Sequence, residues 1–142
     1  MTVLLVEDNE IDARMVLRAS ETSSLANSIH VASDGARALA YLRQQPPFTD
    51  APRPHLVLLD LNLPGIDGRD VLAEMKADES LRQIPVIILS SSTLAADVEA
   101  SYGNDAAALV TKPVGLEGFS RVIDALDKFW CELVTYCNPA VS

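Results

Sequence analysis

The stretch His55-Leu56-Val57-Leu58-Leu59-Asp60-Leu61-Asn62-Leu63-Pro64-Gly65-Ile66-Asp67-Gly68 decides the fold. Its first five residues are apolar or nearly so and do not alternate with polar ones. That pattern suits a strand buried on both faces, as in a parallel sheet covered by helices. Pro64-Gly65 and Asp67-Gly68 are turn signals, so the strand must stop near Asp60. A carboxylate is left at the carboxyl end of a central strand, where open α/β sheets build their sites. The plainer alternative is a solvated Asp at the start of a loop.

The same alternation of apolar run and helical spacing extends in both directions. Thr2 to Val6 forms a first buried strand, ended by Glu7-Asp8-Asn9, and Asn9 can cap a helix carrying Ile11, Met15, Val16 and Ala19. Ile29 to Ala32 is a short second strand. Asp34-Gly35 then opens a helix with Ala38, Leu39, Tyr41 and Leu42 on its inner face. Gln44 to Pro54, with four prolines, is a surface connection leading to the Asp60 strand. Downstream, a helix over about 69–78 turns Val71, Leu72 and Met75 inward. Val86 to Leu89 is a fourth strand ending at Ser90, with Pro85 suited to its entry. Thr93 caps a short helix to Tyr102, and Ala107 to Val110 is a fifth strand ending at Thr111-Lys112-Pro113. A last helix carries Leu116, Phe119, Val122, Ile123, Leu126, Phe129, Trp130 and Leu133. Five βα units of this kind predict an α/β domain, a parallel sheet with helices on both faces.

Composition narrows the function classes. The chain has 142 residues, 49% hydrophobic and 22% charged, which suits one soluble domain with its own core. Its net charge of -9 argues against binding to nucleic acid or anionic lipid and favours protein partners or a bound cation. Two cysteines, Cys131 and Cys137, provide neither a disulfide framework nor a zinc site, which fits a reducing cytoplasm. No apolar run approaches the roughly 20 residues that span a bilayer.

In a parallel sheet every carboxyl end lies on one edge. Glu7 and Asp8 after the first strand, Asp60 after the third, Ser90 after the fourth and Lys112 after the fifth therefore converge. Three carboxylates in one place repel unless some protonate or a cation joins them. A hard divalent ion with oxygen ligands resolves this, and Mg²⁺ tolerates few protein ligands alongside water. Such a site suits a phosphoryl group: Lys112 and Ser90 can contact its oxygens, and Asp60 is the nucleophile that can form an acyl phosphate. Taken singly, Ser90 could be a turn residue and Lys112 a solvated side chain. Joint placement at four strand ends carries the inference.

With those residues in place, the chain resembles the receiver domain of two-component response regulators. Glu7-Asp8, Asp60 with Asn62 through Gly68, Ser90, and Lys112-Pro113 carry the likeness, in the right order over essentially the whole chain. The resemblance implies a flavodoxin-like (βα)5 fold with strand order 2-1-3-4-5. It implies that Asp60 takes a phosphoryl group from a phosphohistidine on a sensor histidine kinase. Asp8, Asp60 and the backbone carbonyl of Asn62 would bind Mg²⁺, with Glu7 acting through a metal-bound water. Ser90 and Lys112 would hold the phosphoryl group, and the Lys112-Pro113 bond is cis in the family. Where many receivers have Tyr or Phe three residues before the lysine, this chain has Leu109.

The Pro-rich connection and the Phe129-Trp130 ending resemble small regulators that serve phytochrome-type kinases. A receiver over 1–137 followed by a short tail, 138–142, leaves no output domain. Output then runs through protein contacts, or phosphate is passed on or drained as in a relay or sink. The last helix, roughly 30 Å from Leu116 to Tyr136, ends in Phe129, Trp130 and Leu133, an apolar end suited to homodimerisation. Two rivals stand beside this expectation. A small aspartyl-phosphate phosphatase would turn over free phosphate esters, but haloacid-dehalogenase-type enzymes place their nucleophile on the first strand. A pure interaction module would keep the fold without metal or covalent phosphate.

Overall fold

A computed structural model describes residues 2–23, 25–61, 63–90, 108–113 and 115–137. In chain order the described elements are β1 (Val3–Val6), α1 (Glu10–Ser20), β2 (Ile29–Ala32), α2 (Gly35–Leu42), β3 (Leu56–Asp60), α3 (Gly68–Ala77), β4 (Val86–Ser90), β5 (Ala108–Thr111) and α4 (Gly115–Cys137). The strands form one sheet in the order β2-β1-β3-β4-β5, and every pairing is parallel. The helix expected between Thr93 and Tyr102 lies outside the described residues, as does Asn62.

The uninterrupted apolar runs are explained by two cores, one on each face. Alternate strand residues point to opposite sides. Leu4, Val6, Val57, Leu59, Val86 and Ile88 meet Ala38, Leu39 and Leu42 of α2 and Val71, Leu72 and Met75 of α3. Val3, Leu5, Leu56, Leu58, Ile87 and Leu89 meet Ala13, Val16 and Ala19 of α1 and Phe119, Ile123 and Leu126 of α4. A fully buried Leu, Ile or Phe contributes about 1.5–3 kcal/mol relative to exposure, so the two layers together hold the sheet.

Three helices begin as their caps dictate. Asn9 accepts from the N–H groups of Ile11 and Asp12, Asp34 from Arg37, and Asp67 from Arg69. Four sequence expectations need correction. Ile11 is 66% exposed rather than part of the α1 packing face, where Ala13 takes its place. Helical spacing had put Leu116 with the apolar face of α4, but it is also exposed. The connection before β3 is not wholly a surface segment: Phe48 and Ala51 pack against the α2–α3 core, and the Phe48 ring meets Tyr41 at a tilt, 5.5 Å between ring centres. His30, within β2, meets the same Tyr41 ring at 5.9 Å between centres. The cis peptide among the described residues joins Pro46 to Pro47, not Lys112 to Pro113. No described helix is long and apolar enough to cross a membrane.

Candidate functional site

The carboxyl edge of the sheet gathers the charged residues. Each arrives for a local reason. β1 stops at Val6, and Glu7 follows it, its N–H donating to the Ala32 carbonyl at 3.0 Å. Asp60 is the last residue of β3, opposite Leu89 in the register with β4. Lys112 follows β5, whose last residue Thr111 pairs with Ser90 at the end of β4. The Ser90 main chain is therefore at this edge, while its hydroxyl lies outside the described side chains. The same is true of the Leu109 side chain.

Lys112 organises the pocket. Its Nζ lies 2.8 Å from Glu7 Oε2, 2.9 Å from Asp12 Oδ2 and 3.0 Å from Asp60 Oδ2. Glu7 and Asp60 are almost fully buried, at 3% and 4% exposure, and Asp8 is exposed. Oxygens of Glu7, Asp8 and Asp60 all come within 4.8 Å of one another. Three carboxylates thus contact one ammonium, and Asp8 stands beside two of them. Burial by itself disfavours the Lys112 charge, but hydrogen bonds to Glu7, Asp12 and Asp60 outweigh it, and the pKa rises. Lys112 is held as an ammonium.

Glu7 bears the cost of this crowding. Burial above all, and then the Asp60 charge, push its carboxyl from 4.5 up to about 7, against the opposing hydrogen bonds from Lys112 and the Asn9 N–H. The folded protein therefore holds a proton on Glu7 between pH 4.5 and 7 that the unfolded chain has released. Stability from this group is present at low pH and lost as pH rises through that window. Chemical denaturation of the metal-free protein at pH 5 and pH 7.5 should show wild type falling by about 2–3 kcal/mol relative to Glu7→Gln. A difference that does not change with pH would mean that Glu7 is ionised throughout.

The donor set fits a hard divalent cation: three carboxylates from two strand ends, with no nitrogen or sulfur ligand among them. Sequence reasoning missed Asp12. It sits at no strand end and in no acidic pair, but α1 starts at the same edge and its first turn points Asp12 back at Lys112. The available signal was its position three residues after the Asn9 cap, in the turn nearest β1. Asn62 lies outside the described residues, and so do the side chains of Phe129, Trp130 and Leu133, although α4 runs through the last three positions.

Comparison with known proteins gives concordant matches. The family model of the response regulator receiver domain matches residues 3–124. Response regulator Rcp1 of Synechocystis sp. is 41% identical over 133 residues, spanning 94% of this chain and 90% of that protein. The crystal structure of the phosphorylated cyanobacterial phytochrome response regulator RcpA superimposes with a TM-score of 0.85 at 40% identity, covering 92% of this chain and 93% of that one. The Mn²⁺-bound form of Rcp1 gives a TM-score of 0.83 at 40% identity, covering 91% and 93%.

Proposed function

Because this chain belongs to the response regulator receiver domain family, we propose that Asp60 is its phosphoacceptor and that a sensor histidine kinase of the phytochrome type is its phosphoryl donor. The observation that carries this is the pairing of a buried Asp60 with Lys112 at 3.0 Å on the edge where Glu7 and Asp8 also converge. In the transfer, an Asp60 carboxylate oxygen forms a bond to phosphorus as the bond from phosphorus to the donor's imidazole nitrogen breaks. The imidazole leaves with the electron pair. Lys112 meets the charge of the phosphoryl oxygens, and Ser90 supplies a hydrogen bond to one of them.

The metal is Mg²⁺ in this proposal, held by Asp8, Asp60 and the Asn62 carbonyl. Glu7 acts through a water, in keeping with its two oxygens already accepting from Asn9 N–H and Lys112. When bound, the ion neutralises phosphoryl charge that the protein's one nearby ammonium cannot balance alone. Catalysis by the protein is limited to taking phosphate from small donors and hydrolysing its own acyl phosphate. A net charge of -9 favours output through protein contacts rather than nucleic acid. The receiver unit spans 1–137.

The deciding experiment is intact mass after incubation with acetyl phosphate, with and without Mg²⁺. One added phosphoryl group that requires Mg²⁺ is the expected result. Absence of an adduct, of Mg²⁺ binding and of beryllofluoride binding would leave only an interaction module.

Homodimerisation through α4 belongs to the same proposal. The helix has 23 residues, about 34 Å at the α-helical rise, whereas strands of four or five residues span only about 13–17 Å. Its last turns carry Phe129, Trp130 and Leu133, a concentration of apolar residues suited to a second copy. Trp130→Asp with Leu133→Glu is expected to convert a dimer to a monomer in sedimentation velocity. An unchanged sedimentation coefficient would remove α4 as the interface.

A further inference from the structure

Asp12 stands apart from the other acids of the pocket. It comes from a helix rather than a strand end, and it is not one of the three carboxylates whose oxygens cluster together. Yet its Oδ2 lies 2.9 Å from Lys112 Nζ, as close as the contacts from Glu7 and Asp60. Its placement is built rather than incidental. Asn9 Oδ1 accepts from the N–H groups of Ile11 and Asp12 at 3.0 and 3.2 Å, and the Asn9 N–H donates to Glu7 Oε1 at 3.0 Å. One residue thus ties the first turn of α1 to the acid beside it.

An ammonium has three N–H donors. Lys112 has three carboxylate neighbours, at 2.8, 2.9 and 3.0 Å, and all three donors are taken. A phosphoryl group on Asp60 brings new anionic oxygens to the same ammonium, so an existing contact must be weakened or given up. Giving up Glu7 is expensive. Its side chain is 2% exposed, and without Lys112 its one partner among the described residues is the Asn9 N–H. Phosphorylation strips Asp60 of its charge and passes its donor to one phosphoryl oxygen, but the near-dianionic group has three acceptor oxygens and competes for a second donor. The Asp12 side chain is 24% exposed, so water can replace the ammonium there.

We propose that Asp12 is a positioning residue that holds Lys112 in the unphosphorylated protein, and that its contact with Lys112 is the one surrendered when a phosphoryl group arrives. Resting on the phosphoacceptor role of Asp60, the proposal makes Asp12 a brake. Its charge offsets that of Lys112 and occupies a donor the phosphoryl oxygen needs. Its removal favours the phosphorylated state.

The test compares wild type with Asp12→Asn at saturating Mg²⁺, so that any change in metal affinity does not intrude. Beryllofluoride serves as the phosphoryl stand-in, and intact mass follows the acetyl phosphate reaction in parallel. Asp12→Asn should bind beryllofluoride about threefold to tenfold more tightly, the range of a partly buried ion pair. Its thermal midpoint without ligand should be equal to wild type or lower. Asp12→Ala, which also removes the oxygen acceptor, must shift affinity in the same direction.

A merely structural Asp12 would lower midpoint and affinity together. Unchanged or weaker beryllofluoride binding by either folded variant, beside a wild type that takes phosphate normally, overturns the brake and leaves the receiver function standing. A wild type that binds Mg²⁺ but takes neither phosphate nor beryllofluoride overturns both.

Discussion

Asp60→Asn is expected to abolish the Mg²⁺-dependent phosphoryl adduct while leaving a folded protein. The amide oxygen is neutral and a poor nucleophile towards phosphorus, so the loss should be complete within detection. The fold should survive because the amide can still accept from Lys112, at 3.0 Å in wild type, and removes one negative charge from beside Glu7. With that repulsion gone, the Glu7 carboxyl should move down from about 7. Stability should stay within about 1 kcal/mol of wild type at neutral pH, as one charged contact is traded for a neutral one. Affinity for a divalent ion should fall, because one of three clustered carboxylates is lost. Intact mass with peptide mapping checks the adduct. If the variant still carries phosphate on an aspartate, Asp8 becomes the first alternative, as the exposed member of the cluster.

The legibility of this site in the sequence follows from which forces set it. Strand ends in a parallel sheet are fixed by apolar runs, and those runs are unambiguous from Val3 to Val6, Leu56 to Leu59 and Val86 to Leu89. Once the strands are parallel, Glu7, Asp60 and Lys112 must meet, and they do. Asp12 was not legible by this route because a helical residue's direction depends on where the turn begins. That phase is set by the Asn9 side chain, which the sequence named as a cap without saying which residue it would aim.

Helix faces were read less well than strands. The spacing that placed Ile11 with Met15, Val16 and Ala19 did not reveal that small Ala13 joins Val16 and Ala19 in the core shared with α4, with Ile11 outside. Hydrophobic periodicity gives a stripe, and close packing of two helices selects which part of the stripe is covered. The Phe48 contact was invisible for a different reason. Prolines at 46, 47, 52 and 54 mark irregular backbone, and irregular backbone can still deliver one aromatic side chain to a core.

Two glycines of the β3–α3 turn differ in a way that their sequence does not show. Gly65 and Gly68 both looked like turn residues, but only Gly65 has the left-handed backbone, at φ +69°, with open space where a Cβ would stand. Gly68 has no such φ; it has no room. Its N–H donates to the Leu61 carbonyl at 3.1 Å, and a Cβ would run into the Asp60 carbonyl oxygen and lie 2.6 Å from the Leu61 Cα. Both obstacles are backbone, so no side chain can swing aside. The first turn of α3 is pressed directly onto the chain leaving β3.

Gly68→Ala should therefore cost about 1–3 kcal/mol by overpacking, and Gly68→Val more, in urea denaturation. Gly65→Ala should cost only about 1–2 kcal/mol, from backbone strain alone. The two differ more in function than in stability. Relief at Gly68 requires the Asp60–Leu61 backbone to move, which carries the Asp60 carboxylate away from Lys112. Folded Gly68→Ala should then take phosphate from acetyl phosphate at least about tenfold more slowly, because a displacement near 1 Å at a reacting group can cost as much as 100-fold. Gly65→Ala should react like wild type. If Gly68→Ala reacts at the wild-type rate, the close approach of α3 to β3 is not what positions the acceptor.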